Sequence, residues 1–376
     1  MKILLIGDYY SSNLGDGVIC QTVEALFRSN FKEIQTIDIL DISGRQDFAD
    51  NRTHFYNKNR LKKEIKGLLP SVINETISYQ RTSLPNYEIN DHYDAAIYAG
   101  GQLLMPYFLK QMITINQLLK KKNIKIIYNA VGYGKFYSKA LIKKLSTIID
   151  DCSVQHLSIR DGERMLDRTL VKKQVHTVCD NAVWASEIYD IKKVENSQVI
   201  GLGIMYIENK RQTLISFWRD TLLLLDKKGT NWKFFVNGSI EDYLFAKEIL
   251  ALHGCTDVEE YLCPRPETPK ELIEVISLFE KIISFRLHSH IISYSLEIPS
   301  ISIVWDDKVR KFFEKIDHPQ RCYDYHNYDS NLLLNDLDAI KFTEADRQVK
   351  EMLKKEVLEN LQTIVTLCRT KKMGSD

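Results

Sequence analysis

The sequence predicts an α/β protein of two Rossmann-type domains, each built on a parallel sheet. Three observations lead there. Short apolar runs alternate with helical patterns over most of the 376 residues, the signature of parallel strands joined by crossover helices. That length suggests two domains with ample cores. A polar stretch, Glu187–Gln198, also divides the chain, and a fresh strand pattern, Val199-Ile200-Gly201-Leu202-Gly203-Ile204, follows it.

The elements follow in order. Met1-Lys2-Ile3-Leu4-Leu5-Ile6-Gly7-Asp8 has too short an apolar run for a signal peptide and reads as a first buried strand over Lys2–Gly7. Further strands are expected at Ile34–Ile39, Ala95–Ala99, Lys125–Ala130 and His156–Ile159, with helices over Val18–Ser29 and Ser138–Ile149. Between them, residues 44–90 are polar and include Arg60-Leu61-Lys62-Lys63-Glu64-Ile65-Lys66-Gly67-Leu68-Leu69. That segment reads as a basic amphipathic helix, either a solvated surface helix or one that lies on an anionic membrane. Past the divide, strands are expected at Val199–Ile204, Lys233–Val236, Ile282–Phe285 and Ser300–Val304, with helices over Pro269–Leu278 and Ile291–Leu296, the latter stopped by Pro299. The domains are thus residues 1–187 and 188–342. Residues 343–376 add one or two helices that can cross back to the first domain.

Composition narrows the partners. Hydrophobic residues make up 44% and charged residues 27%, ordinary values for a globular protein, and no run approaches a membrane span. The net charge of +1 and the lack of a basic stripe with interleaved aromatics argue against nucleic acid. The seven cysteines are scattered without C-x-x-C spacing, so neither zinc nor a disulfide framework is indicated, and no metal is expected. A cytoplasmic chain is expected.

The chemistry concentrates at strand ends. Phe285-Arg286-Leu287-His288-Ser289-His290 places an arginine and two histidines where a strand gives way to a helix. Free backbone N–H groups and a fixed cation converge at such a junction, which suits an anion. A surface arginine beside satisfied histidines is the plain alternative. Lys308 follows the next strand end, in Trp305-Asp306-Asp307-Lys308, and on the same rim would help hold a small polyanion. As readily, it is a solvated lysine on a loop. After the first strand, Gly7 to Gly17 is a glycine-bearing loop with Asp8, Asn13 and Asp16 but no dinucleotide or P-loop spacing. Carboxylates there suit sugar hydroxyls, as acceptors and bases, although Asp16 could simply cap the following helix. Gly100-Gly101 follows another strand and permits close backbone approach to a ligand, or merely a tight turn. Arg160-Asp161 is either a positioned cation or a helix-start salt bridge.

Taken together, Asn13-Leu14-Gly15-Asp16, Gly100-Gly101-Gln102-Leu103, Ser158-Ile159-Arg160-Asp161, Cys179-Asp180-Asn181-Ala182 and the stretch from Arg286 through Pro299 to Lys308 resemble the polysaccharide pyruvyl transferase family in order and spacing. Members often carry a third glycine where Gln102 stands and Asp-Pro in place of Asp180-Asn181. The resemblance implies two facing α/β domains like the B-type glycosyltransferases. It also implies transfer of a pyruvyl group from phosphoenolpyruvate to two hydroxyls of one sugar, forming a cyclic ketal. The acceptor would belong to a capsule, exopolysaccharide or other cell-surface glycan, or to its lipid-linked precursor at the inner face of the membrane, where peripheral contact is conceivable. Phosphoenolpyruvate is then a substrate, and no cofactor is expected. Arg286, Lys308, Ser289 and His290 would bind it, with His288 as acid and Asp16 or Asp8 as base. Asn13, Gly15, Gly100, Gly101, Gln102 and Arg160 would meet the acceptor. Two rivals remain: a B-type glycosyltransferase using a nucleotide sugar, and a non-catalytic glycan-binding protein of the same fold. The first expects a ribose-gripping acid on the helix after Arg286, but Ser289–Leu296 holds none and Glu297 lies at its far end.

Overall fold

In the computed structural model, residues 1–52, 70–89, 92–161 and 171–370 are described. The basic segment Arg60–Leu69 lies outside them. Two compact units emerge, one comprising residues 1–11, 19–181 and 355–376 and the other residues 12–18 and 182–354.

The first unit contains β1 (Lys2–Gly7), most of α1 (Leu14–Asn30), β2 (Thr36–Asp41), α2 (Ser71–Arg81), β3 (Ala95–Tyr98), β4 (Gly101–Leu104), α3 (Leu109–Lys121), β5 (Lys125–Tyr133), α4 (Lys139–Ile149), β6 (Val154–Ile159) and β7 (His176–Thr177). The sheet runs β2-β1-β3-β5-β6-β7, with β4 added to β5, and its described pairings are parallel. All nine residues of β5 are buried, as expected of a parallel strand covered on both faces. The strand order reverses between β1 and β3, so the loops leaving those strands emerge side by side at a switch point.

The second unit contains α5 (Ala185–Tyr189), β8 (Ile200–Gly203), α6 (Arg211–Lys227), β9 (Trp232–Phe235), α7 (Ile240–His253), α8 (Val258–Tyr261), α9 (Pro269–Ser277), β10 (Lys281–Ser284), α10 (Leu287–Ser295), β11 (Ser300–Val304), α11 (Asp307–Lys315), β12 (Cys322–Asp324) and α12 (Ser330–Ala339). Its parallel sheet runs β12-β11-β10-β8-β9. Gly203, Ser284 and Ser302 lie level across β8, β10 and β11, so these strands end on one edge. Beneath that edge Phe217, Trp218 and Phe234 form an aromatic core with Phe285, whose ring meets Phe217 edge-on at 5.6 Å. Such buried rings contribute about 1.5–3 kcal/mol each and anchor the residue before Arg286.

The chain passes to the second unit at Ala182, a little before the expected divide at residue 187. A single long helix, α13 (Glu344–Arg369), closes the described chain. Its residues from Lys355 onward belong to the first unit. There the buried Lys125 Nζ donates to the carbonyls of Leu367 and Cys368 at 2.9 and 3.1 Å, capping the helix C-terminus. The expected Gly100-Gly101 loop is shorter than the sequence implied, since β4 begins at Gly101. Among the described residues no helix is long and apolar enough to cross a membrane.

Candidate active site

In the second unit the Arg-His run forms the start of a helix rather than a loop before one. Helix α10 begins at Leu287 with Arg286 in the N-cap position. Arg286 is fixed from behind: its N–H donates to Ser284 Oγ at 3.1 Å, and the Trp305 indole N–H donates to the Phe285 carbonyl at 2.8 Å. Its guanidinium meets Asp242 through Nε at 3.1 Å and through Nη2. Lys308 stands in the first turn of α11, after the neighbouring strand, with Nζ 4.8 Å from the Trp305 ring. Trp305, attached to the Phe285 carbonyl and carrying Lys308 on its face, thus links the two cationic strand ends.

Helical geometry separates the two histidines. Residues two apart on a helix point about 200° from each other, so His288 and His290 face opposite sides. His288 meets the glycine loop: a Cβ on Gly15 would lie 2.3 Å from His288 Nδ1. His290 points into the core, fully buried, its Nε2 3.0 Å from the Ser284 carbonyl and its Nδ1 3.1 Å from Ser300 Oγ. Burial lowers its pKa to about 3, so the ring stays neutral. Ser289 is also fully buried and donates to Asn237 Oδ1 at 2.8 Å. Both were expected to bind phosphoenolpyruvate. Instead His290 and Ser289 hold the helix in place, and neither offers surface to a ligand.

The loop after β1 is drawn to this same unit from Ser12 onward. Leu14 N–H donates to the Asn237 carbonyl at 2.9 Å. Asn13 Nδ2 donates to Asp16 Oδ2 at 2.9 Å, and Asp16 N–H donates to the Asn13 carbonyl at 3.0 Å. Helix α1 therefore starts at Leu14, earlier than expected, and Asp16 lies in its first turn, where a carboxylate complements the dipole. Gly15 lies against His288, with Asn13 and Asp16 paired on either side of it in the same turn. Gly238, at φ +102°, completes the fit, for a Cβ there would lie 2.6 Å from the Ser12 carbonyl oxygen.

The first unit holds the other expected residues. Asp8 Oδ1 accepts from Ser43 Oγ at 2.9 Å and from Arg45. Gly100 and Gly101 adopt φ of +117° and +79° at the switch point, conformations that favour glycine. A Cβ on Gly100 would also lie 2.9 Å from Ile19 Cγ2. Gln102 is half-buried in β4. Arg160 takes a different part from the acceptor contact expected of it. Its side chain is 4% exposed and is enclosed by Asp161, 3.1 Å from Nε, and by Asp180.

Sequence reasoning missed Asp242 and Asn237 as functional or supporting groups, and it quoted Asp180 in a motif without assigning it to Arg160. Asp242 lies 44 residues from Arg286, and no local pattern marks such a pairing. Among the described residues no group of three His, Cys, Asp or Glu side chains could hold a metal.

A family model described as polysaccharide pyruvyl transferase matches residues 13–307. No curated protein matches the chain. Among solved structures, the chain is similar to S. aureus MnaA with UDP, at TM-score 0.56 and 11% identity over 100% of both chains. It is also similar to the UDP-GlcNAc 2-epimerase from Neisseria meningitidis bound to UDP-GlcNAc (TM-score 0.57, 13% identity, 97% of this chain and 100% of that one). The Methanocaldococcus jannaschii UDP-GlcNAc 2-epimerase gives TM-score 0.57 and 11% identity over the same shares. At such identities the likeness establishes the fold alone, an α/β architecture with two parallel sheets.

Proposed function

The chain belongs to the polysaccharide pyruvyl transferase family, and from that premise we propose that it moves a pyruvyl group from phosphoenolpyruvate onto two hydroxyls of one sugar. The observation that carries this reading is the shared edge of β10 and β11, which ends in Arg286 and Lys308 with His288 one helical step beyond. A guanidinium and an ammonium on one rim match the phosphate and carboxylate of a small polyanion.

The chemistry then follows from the side chains. Arg286 and Lys308 bind the donor and take up charge on the departing phosphate. His288 delivers a proton to C3, leaving C2 electrophilic. One sugar hydroxyl attacks C2 as its proton passes to a carboxylate, and the C2–O bond to phosphate breaks. The second hydroxyl then adds to C2 and closes the ketal, its proton restoring the one His288 gave to C3, while the proton taken by the carboxylate leaves with phosphate, the other product. Asp16 is the better base, because Gly15 brings its turn against His288; both carboxylates already accept hydrogen bonds, Asp16 from Asn13 and Asp8 from Ser43 and Arg45. Asn13 and Gly15 of the second unit are proposed to meet the acceptor, a sugar of a cell-surface polysaccharide or its lipid-linked precursor, and Gly100, Gly101 and Gln102 are proposed as acceptor contacts of the first unit taken by itself. Arg160 is better placed to hold the end of β6 through Asp161 and Asp180 than to touch sugar.

Calorimetric titration of phosphoenolpyruvate into the wild-type protein and Arg286→Ala tests this, with UDP- and GDP-sugars in parallel. Binding that is greatly weakened, but still measurable at high concentration, is expected in the variant. Binding of a nucleotide sugar alone would replace the reading with a glycosyltransferase.

A further inference from the structure

Resting on that reading, we infer that Asp242 is a positioning residue that aims Arg286 at the donor. Asp242 is the third residue of α7 and is 1% exposed. Its Oδ1 accepts the Tyr206 N–H at 2.8 Å, which fixes the carboxylate plane. Its Oδ2 receives Arg286 Nε and Nη2 together. A guanidinium has two edges that can grip an oxyanion with paired N–H groups. Asp242 takes the Nε edge, so the Nη1–Nη2 edge is the one presented outward. Among the described residues nothing engages Nη1.

The exposures argue against a merely structural ion pair. The arginine side chain keeps 22% of its surface while the carboxylate keeps 1%. Desolvating a carboxylate costs several kcal/mol, and an apolar residue would fill the space at less expense. The arrangement makes sense if the charge beneath Arg286 has to hold one orientation.

The same turn positions the other parts. Asn237, 1% exposed, gives its carbonyl to Leu14 N–H and its Oδ1 to Ser289 Oγ. The short stretch from Asn237 to Asp242, which runs from the turn after β9 into the first turn of α7, therefore secures the guanidinium, the start of α10 and the Leu14–Asp16 turn.

The test combines binding with a spectroscopic signature. Phosphoenolpyruvate and inorganic phosphate are titrated separately into wild type, Asp242→Asn, Arg286→Ala and the double variant. The Arg286 Nε–H resonance is assigned as the one lost in Arg286→Ala. Asp242→Asn is expected to weaken phosphoenolpyruvate about tenfold or more, as for a lost charge-assisted contact, and to shift that resonance. In the Arg286→Ala background it should cost nothing further. Should Asp242→Asn not fold, Asp242→Glu keeps the charge but moves it by one methylene, and the same shift and weakening are expected. Equal phosphoenolpyruvate affinity in wild type and variant, or an unmoved resonance, would overturn the positioning role and leave the donor reading intact. Phosphate binding that depends on Asp242, with no binding of phosphoenolpyruvate, would overturn the donor reading and leave the role standing. An equal further loss in the Arg286→Ala background would show that Asp242 acts apart from the arginine, and would end the proposal.

Discussion

Gly15 and His288 are in such close contact that a single added methyl does not fit: a Cβ on Gly15 would lie 2.3 Å from Nδ1 and 2.4 Å from Cβ of the histidine. The obstacle includes the root of the histidine side chain, so rotation at its far end cannot relieve it. Gly15→Ala should push the first turn of α1 away from α10 at a cost of about 1–3 kcal/mol. Arg286 and Lys308 do not touch Gly15, so the KM for phosphoenolpyruvate should hold. Turnover should fall about 100-fold, the scale of a 1 Å misplacement at a reacting centre. Steady-state kinetics with a thermal melt checks this, and full turnover would refute the contact.

His290 makes an acid-stability prediction. Its folded pKa of about 3 lies below the ordinary 6.5 of the unfolded chain. Below pH 6.5 the unfolded chain therefore takes up a proton that the folded one refuses. The stabilisation is complete above 6.5 and declines as the pH falls toward 3, by up to about 1.4 kcal/mol per pH unit. His290→Gln removes this titration. Urea midpoints between pH 7 and pH 4 should fall less steeply in the variant, although it starts lower at pH 7. Parallel slopes would contradict the buried neutral ring.

Much of this was legible in the chain, for identifiable reasons. Apolar runs such as Ile282–Phe285 and Ser300–Val304 are short and rich in β-branched residues, which marks them as buried strands, so the ends carrying Arg286 and Lys308 followed directly. Marginal strands escaped, among them the three-residue β12. The two-residue β7 has no internal pattern, and β4 begins with a glycine. Helix starts were set late at both Leu14 and Leu287, because Gly15 and the polar His-Ser-His run conceal the first turn. That error decided the fate of His290 and Ser289: only once Leu287 is helical does residue 290 point opposite to 288. The long-range partners Asp242 and Asp180 are set by topology, through which sequence-distant strand ends become neighbours, and no local spacing encodes it.

The Arg160 triad yields a stability prediction for the first unit. Arg160, Asp161 and Asp180 side chains are 4%, 6% and 4% exposed. Asp161 Oδ1 also accepts the Tyr133 N–H at 3.0 Å, and a Cβ on Gly132 would lie 3.0 Å from Arg160 Nε. Arg160→Met would leave two carboxylates buried without their cation, at a cost of about 3–5 kcal/mol. Asp180→Asn keeps a hydrogen-bond acceptor and should cost less. Urea unfolding gives the comparison, and a variant Arg160→Met as stable as wild type would mean that the pairing contributes nothing.

Trp305 offers a last, graded test of the donor rim. Its N–H fixes it to the Phe285 carbonyl at 2.8 Å, and its face carries Lys308 at 4.8 Å. Trp305→Phe keeps an aromatic face but loses the hydrogen bond, whereas Trp305→Leu loses both. The first should weaken phosphoenolpyruvate binding by about 1 kcal/mol, or roughly fivefold, and the second by about 2 kcal/mol, or roughly thirtyfold. Lys308→Met should weaken binding too and also flatten its salt dependence, because one screened attraction is gone. The three variants are therefore separable by KM for phosphoenolpyruvate at low and high salt. If Lys308→Met keeps the full salt dependence, Lys308 does not face the donor, and Arg286 alone must hold the anion.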